Sequence, residues 1–232
     1  MKPEFAQKLI NKTIADYNKI APLWSSKRSH LPSDIIELKK YIQTDDRILD
    51  LGCANGYLIE LFENISNYIG VDVSDELINI AKTKYPEGNF IHIEPNQIPF
   101  PDASFDKVFC LSTIHHIPGE EERLKFMAEI NRVLKPNGLL ILTAWDTNSE
   151  MFAWWQKNKA SFAEYDEMDT SDILYPFKNG DGEAEINRYL HCFTSDELQG
   201  LLQNSSFEVE AISTISRNKG KFGNILTISH KK

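Results

Sequence analysis

The segment ILDLGCANG, residues 48–56, decides the fold: a near-continuous apolar run breaks at Gly52, and a second glycine follows at Gly56. A run without strict alternation suits a strand covered on both faces, and a glycine at its end suits a tight strand-to-helix turn. Working outward, runs of the same kind recur at 67–73, 89–93, 107–111 and 139–144, with a strand start for the first at Arg47. Helical patterns lie between them at 57–63, 75–84 and 120–134. The last carries Glu120, Glu121 and Glu122 in its first turn and Leu124, Met127, Ile130 and Leu134 on one face. Pro136-Asn137-Gly138 turns the chain into the next strand. Strands alternating with helices predict a doubly wound α/β fold with a parallel sheet, because a parallel crossover needs a helix to return the chain.

The flanks read differently. Phe5, Leu9, Ile14, Tyr17 and Ala21 recur at helical spacing, which predicts a helix over 4–21 stopped by Pro22. Ser33 is placed to cap a second helix through about residue 43. Residues 147–190 break the alternation, scattering Trp154, Trp155, Phe162, Tyr165, Tyr175 and Phe177 among acids, as expected of an insertion that covers something. Thr194 with Glu197 forms a capping box, and strands over 207–215 and 222–230 form an antiparallel hairpin around Arg217-Asn218-Lys219-Gly220.

Composition is that of an ordinary globular chain: 232 residues, 41% hydrophobic and 25% charged. Three widely spaced cysteines, Cys53, Cys110 and Cys192, fit neither a disulfide framework nor a thiolate zinc site, so no metal and a reducing cytoplasm are expected. No stretch of eighteen apolar residues occurs, which argues against a membrane span. The net charge of −9 argues against bulk attraction to polyanions. Yet residues 1–40 hold eight bases against four acids and Lys219, Lys221, Lys231 and Lys232 crowd the end, whereas 147–200 hold eleven acids against four bases.

The spacing after the first strand is G-x-x-x-G, neither the dinucleotide nor the triphosphate pattern. Asp72 closes the second strand twenty residues beyond Gly52, where a carboxylate accepts hydrogen bonds from ribose hydroxyls. Nucleoside binding follows, and phosphate binding does not.

With the glycine loop, Asp72, IPFPDASFDKVFC at 98–110 and VLKPNGLLIL at 133–142, the chain resembles the class I S-adenosylmethionine-dependent methyltransferases over about residues 33–146. The resemblance implies a Rossmann-like seven-stranded sheet with its last strand antiparallel, and S-adenosyl-L-methionine as cofactor. It implies one domain over 1–232: N-terminal helices at 1–43, a cofactor-binding core at 44–146, an inserted lid at 147–190, and a C-terminal helix and hairpin at 191–232. The donor would meet Asp50, Gly52, Cys53, Ala54, Gly56, Asp72, Val73, Glu94, Pro95, Asn96 and Leu111, with the methionine end on the loop, the ribose on Asp72 and the adenine on Glu94. Glu94 stands where the family has aspartate, and Pro95 has no N–H for the adenine ring, so Asn96 or Gln97 is the substitute.

A narrower similarity, through YNKIAPLWSSKR at 17–28, the segment 113–146 and NRYLHCF at 187–193, is to the methyltransferases that esterify a carboxymethyl group on the wobble uridine of tRNA. It implies Arg28, His116, Trp145, Arg188 and Tyr189 as acceptor-side residues, with Asp146 standing where that group has alanine. It also implies tRNA as partner and, as in the eukaryotic members, a small activator subunit. Arg28 or Arg188 would orient an ionised carboxylate, whereas a hydroxyl, phenol or amine would need a base such as His115 or His116. The alternatives are O- or N-methylation of a small metabolite and a non-catalytic cofactor-binding subunit.

Overall fold

A computed structural model describes the chain except for residues 29, 163–164 and 218–221 and the side chains of 165, 216, 217 and 222. Parallel strands β1 (Ile48–Leu51), β2 (Tyr68–Asp72), β3 (Asn89–His92), β4 (Phe105–Leu111) and β5 (Leu134–Trp145) form most of one sheet. Two C-terminal strands complete it, β8 (Phe207–Arg217) and β9 (Phe222–Lys231), in the order β3-β2-β1-β4-β5-β9-β8. β9 runs antiparallel to both neighbours, and the sheet is the Rossmann-like, seven-stranded one that the resemblance implies. The order reverses between β1 and β4, and a crevice opens at the carboxyl ends of strands on either side of such a reversal. Every residue of β1 and β2 is buried, as their near-continuous apolar runs lead one to expect, Asp50 and Asp72 included.

Helices α3 (Asp75–Lys84), capped by Ser74, and α4 (Glu120–Val133) lie where the apolar periodicity places them. Other boundaries move. β4 begins at Phe105 and β5 at Leu134, so Pro136-Asn137-Gly138 lies inside a strand as a bulge, with pairing jumping from Phe105–Leu134 to Lys107–Leu139 and Asn137 at φ 60°. The expected helix at 57–63 is only a 3-10 turn, Tyr57–Leu61, after left-handed Gly56. Likewise α2 (Ser33–Ile36) spans one turn and tightens into a 3-10 segment, Glu37–Tyr41, with Pro32 and not Ser33 at the cap.

Pro22 does not end the first helix. α1 runs Pro3–Ser26, because Ile20, Ala21 and Trp24 pack with Ala54, Leu77, Phe177 and Ile186 on both sides of the proline, and this burial outweighs one missing N–H.

Residues 147–190 contain α5 (Glu150–Asn158) and a two-stranded sheet, β6 (Asp172–Lys178) with β7 (Ala184–His191). Three lysines of α1 fasten this hairpin by its carbonyls: Lys12 Nζ donates to Asn187 O at 2.6 Å, Lys19 Nζ to Glu185 O at 2.9 Å and Lys27 Nζ to Lys178 O at 2.6 Å. These basic residues therefore serve the hairpin; the cations at 219 and 221 and the turn at 218–220 lie outside the described residues. Among the described residues, no helix is long and apolar enough to cross a membrane, and no group of His, Cys, Asp and Glu is placed to hold a metal.

The capping box is half made. Glu197 N donates to Thr194 Oγ1 at 3.1 Å, but the Glu197 carboxylate accepts from His191 Nε2 at 2.7 Å. Asp172 accepts from the other ring nitrogen at 2.7 Å and from Tyr189 Oη at 2.8 Å, so a buried imidazole joins the hairpin to α6 (Ser195–Asn204). Burial and the Arg123 charge oppose protonation of His191, but the two carboxylates prevail and raise its pKa above 6.5. Glu197 moves down from 4.5, the His191 bond overcoming its own burial. The clamp is thus complete above the ordinary glutamate range and below the ordinary histidine range, and it weakens as pH rises through the elevated value. The melting temperature is expected to fall between about pH 6 and about pH 9 in the wild type and to fall less in His191→Gln, read by calorimetry. Equal slopes would remove the clamp from the stability account.

Candidate functional site

A large cavity of about 1140 Å³ lies at the carboxyl ends of the parallel strands. Pockets for one drug-sized ligand span about 300–1,000 Å³, so this one has room for two molecules side by side. Its floor comes from Leu51 and Gly52 at the end of β1, Asp72 and Val73 at β2, Leu111 and Ser112 at β4, and Trp145 at β5. One face of α1 forms a wall through Ile10, Thr13, Ile14, Tyr17 and Trp24, and the β6–β7 hairpin closes the side through Tyr175, Phe177 and Arg188.

On the loop side, Gly52 has φ +82°, and a Cβ there would stand 2.2 Å from Thr113 Oγ1. Only glycine fits both the conformation and the space. Asp72 Oδ2 accepts from Ala54 N at 2.8 Å and Oδ1 from Ser74 N at 2.9 Å. The carboxylate therefore fixes the glycine loop against β2 while each oxygen keeps lone-pair capacity for a further donor. Burial raises its pKa, and the backbone N–H groups of Ser74 and Ala54 pull it back.

Of the donor-side candidates, Gly52, Ala54, Asp72, Val73, Pro95, Asn96 and Leu111 line the cavity. Asp50 does not. Strand alternation turns it to the opposite face, where it accepts from Tyr68 Oη at 2.6 Å and burial raises its pKa to about 7. Cys53 is buried on that same side with Ile78, Ala81 and Phe90, and its thiol is pushed well above its ordinary range by burial. Gly56 supplies the left-handed turn, where a Cβ would meet the Phe90 ring at 2.6 Å. Glu94 is exposed and faces an adjoining hollow with His92, Gln97, Pro99 and Glu129, so the expected adenine contact is not placed in the main cavity by this side chain. Asn96 is placed there, at φ 55°, its amide donating to Glu122 Oε2 at 2.9 Å.

Of the acceptor-side candidates, Arg28, His116, Trp145 and Arg188 come together and Tyr189 does not. Neighbours on β7 point to opposite faces, so Arg188 enters the cavity while Tyr189 enters the core of the hairpin, 1% exposed and bonded to Asp172. Arg188 is only 8% exposed. Its guanidinium stands 5.5 Å from the Trp145 ring and 5.3 Å from Phe177, Nε has no hydrogen-bond partner, and among the described residues no carboxylate pairs with it. Arg28 stacks 3.8 Å over the Trp24 ring.

His116 is held in one tautomer. Its Nδ1–H donates to Tyr189 O at 3.2 Å, because a carbonyl only accepts, and this leaves Nε2 to accept from Tyr17 Oη at 3.0 Å. Burial, together with the Arg188 charge, lowers its pKa to about 3. Burial likewise holds His115 neutral, well below the ordinary histidine value. Neither ring is a competent base near neutrality.

Tyr17, Thr113, Glu129 and Asn224 also line the cavity and were not singled out as site residues from the sequence. Tyr17 reads there as one position of an apolar helix face and as the first residue of the 17–28 segment, and nothing local ties it to a histidine ninety-nine residues away.

The chain matches the family model for a methyltransferase domain over residues 49–142. A tRNA (carboxymethyluridine(34)-5-O)-methyltransferase of Arabidopsis thaliana is 28% identical over 165 residues, covering 70% of this chain and 39% of the relative. A ubiquinone/menaquinone biosynthesis C-methyltransferase of Campylobacter jejuni is 31% identical over 149 residues, covering 56% and 62%. The chain thus spans less than two thirds of the length of either. The crystal structure of a SAM-dependent methyltransferase from Methanosarcina mazei superposes with a TM-score of 0.69 at 26% identity, covering 87% of this chain and 98% of that one.

Proposed function

We propose, from the premise that this chain is a class I S-adenosylmethionine-dependent methyltransferase, that its acceptor is a carboxylate and, more finely, the carboxymethyl group of a tRNA wobble uridine. The buried guanidinium of Arg188, which has no carboxylate partner among the described residues, carries the reading. A desolvated charge without a partner is costly, and a carboxylate is the ligand that relieves it with bidentate hydrogen bonds. The likeness to the carboxymethyluridine methyltransferase supports the finer statement.

The donor fits the loop side. Asp72 would accept from the ribose hydroxyls, the main chain from Gly52 to Ala54 would lie along the methionine end, Val73 and Leu111 would pack on the nucleoside, and Asn96 beside Pro95 would meet the adenine. S-adenosyl-L-methionine, when bound, supplies a methyl group on a positively charged sulfur. The chain's own task is then to place a carboxylate oxygen in line with that carbon and to keep water out, since charge is lost in the displacement. The oxygen–carbon bond forms as the carbon–sulfur bond breaks, and no proton moves. This matches a site whose two histidines are held neutral. Arg188 orients the carboxylate, Trp145 and Phe177 flank it, and the hairpin of the proposed lid covers both.

Asp72→Asn is expected to weaken binding of S-adenosylhomocysteine by about 1.5–3 kcal/mol in calorimetry. Asp72→Ala, which also strands the Ala54 and Ser74 N–H groups, loses folded stability as well; unchanged affinity in both would refute the assignment. A base-free reaction predicts a kcat/KM profile that is flat from about pH 6 to about pH 8, unaltered in shape by His116→Gln. A rising limb abolished by that substitution would assign a base after all.

The net charge of −9 favours a second reading, a small carboxylic acid as acceptor. Purified protein, labelled donor and tRNA from cells lacking the protein decide between them. Alkali-labile label on the wobble uridine, with binding that weakens steeply with salt, is expected for tRNA. Label confined to small acids would overturn the tRNA reading. The activator subunit belongs to that reading too and is tested by whether the purified chain transfers methyl alone.

A further inference from the structure

Three of the eight buried polar side-chain atoms without a hydrogen-bond partner among the described residues lie around one ring. Arg188 Nε, His115 Nδ1 and Asn224 Oδ1 are all unpartnered, their residues are 8%, 1% and 4% exposed, and all three line the cavity. Trp145 is the centre of the group. The His115 ring lies 5.2 Å from it, the Arg188 guanidinium 5.5 Å, and Asn224 sits directly across the β5–β9 ladder from it. Residues opposite each other in an antiparallel pair share a face, so Trp145, Asn224 and then Ile215, which is opposite Asn224 on β8, form a row along one side of the cavity. Buried acceptors are as a rule satisfied, and of the two buried carboxamide oxygens without a partner among the described residues, those of Asn55 and Asn224, only Asn224 belongs to a residue that lines the cavity. A ligand N–H would satisfy this one.

Resting on the carboxylate reading above, we infer that Asn224 is a specificity-determining residue that accepts a hydrogen bond from a ring N–H of the methyl acceptor. The acceptor class is thereby a planar, N–H-bearing heterocycle with an acidic arm. Its arm meets Arg188, its face lies against the Trp145 and Tyr175 rings, and its N–H edge meets Asn224. Sites that hydrogen-bond a ligand edge reject analogues lacking it far more strongly than apolar pockets reject a methylene, because the site atom is then left unpaired.

The test uses calorimetric binding to the full chain saturated with S-adenosylhomocysteine. The probes are 5-carboxymethyluridine, its N3-methyl analogue and uridine. The wild type is expected to prefer the N–H probe over the N-methyl analogue by about tenfold or more, and Asn224→Leu to erase that preference while leaving affinity for S-adenosylhomocysteine unchanged. Asn224→Asp, which keeps the acceptor oxygens, is expected to retain it; thermal melts of both variants report folding. Equal binding of the two carboxylate probes by the wild type overturns the Asn224 assignment and leaves the carboxylate reading standing. Binding of none of them, or of uridine as tightly as 5-carboxymethyluridine, overturns the carboxylate reading and the inference with it.

Discussion

Replacing Arg188 by Leu should lower kcat/KM for the acceptor by about 10²–10³-fold or more, the equivalent of the roughly 3–5 kcal/mol lost when one partner of a buried ion pair is removed. Donor affinity should not move, because the arginine reaches the cavity from β7 and Asp72 and the glycine loop reach it from β1 and β2. Arg188→Lys should recover little, since an ammonium neither lies flat between Trp145 and Phe177 nor grips a carboxylate with two parallel bonds. Thermal melts control for folding: the leucine gives up the ring contacts with Trp145 and Phe177 but also removes a desolvated charge that no carboxylate among the described residues compensates, so the variant should melt close to the wild type. A variant that turns over normally would mean the guanidinium faces no anion.

Gly52→Ala should abolish donor binding. The new methyl group would stand 2.2 Å from Thr113 Oγ1, itself bonded to Leu51 O at 3.1 Å, and the backbone at φ +82° is strained for any side chain. Strain of about 1–3 kcal/mol and overpacking of similar size act together on the segment that must lie against the nucleoside. Pairing the change with Thr113→Ala separates the two. The double variant should recover folded stability in part but not donor affinity, because the left-handed turn remains strained. Full recovery of binding, read by calorimetry with S-adenosylhomocysteine, would show that the loop conformation is not what holds the donor.

The parts of this molecule that were legible in its sequence are those fixed by local pattern. Near-continuous apolar runs set β1 and β2, helical periodicity set α3 and α4, and a glycine after a strand with an acid closing the next set the loop and Asp72. What escaped depends on distant parts of the chain. Pro22 looks like a stop until Trp24 is seen packed beyond it against the hairpin. Glu94 and Asn96 are two residues apart, and nothing local shows that the first faces an adjoining hollow while the second also lines the main cavity. Arg188 and Tyr189 were indistinguishable as neighbours in one motif, and only the pleat of β7 sends one to the cavity and the other to Asp172. Tyr17 and Asn224 gain meaning only from His116 and Trp145, which the fold brings to them.

The central claim is that a sulfonium nucleoside and an ionised acceptor share this cavity, one on Asp72 and the other on Arg188. A crystal structure of the chain with S-adenosylhomocysteine and 5-carboxymethyluridine tests it most directly. The account predicts ribose hydroxyls on the Asp72 carboxylate and the acceptor carboxylate on the Arg188 guanidinium, with the sulfur facing it. A nucleoside bound in the Glu94 hollow, or an acceptor whose carboxylate points to solvent away from Arg188, would contradict it.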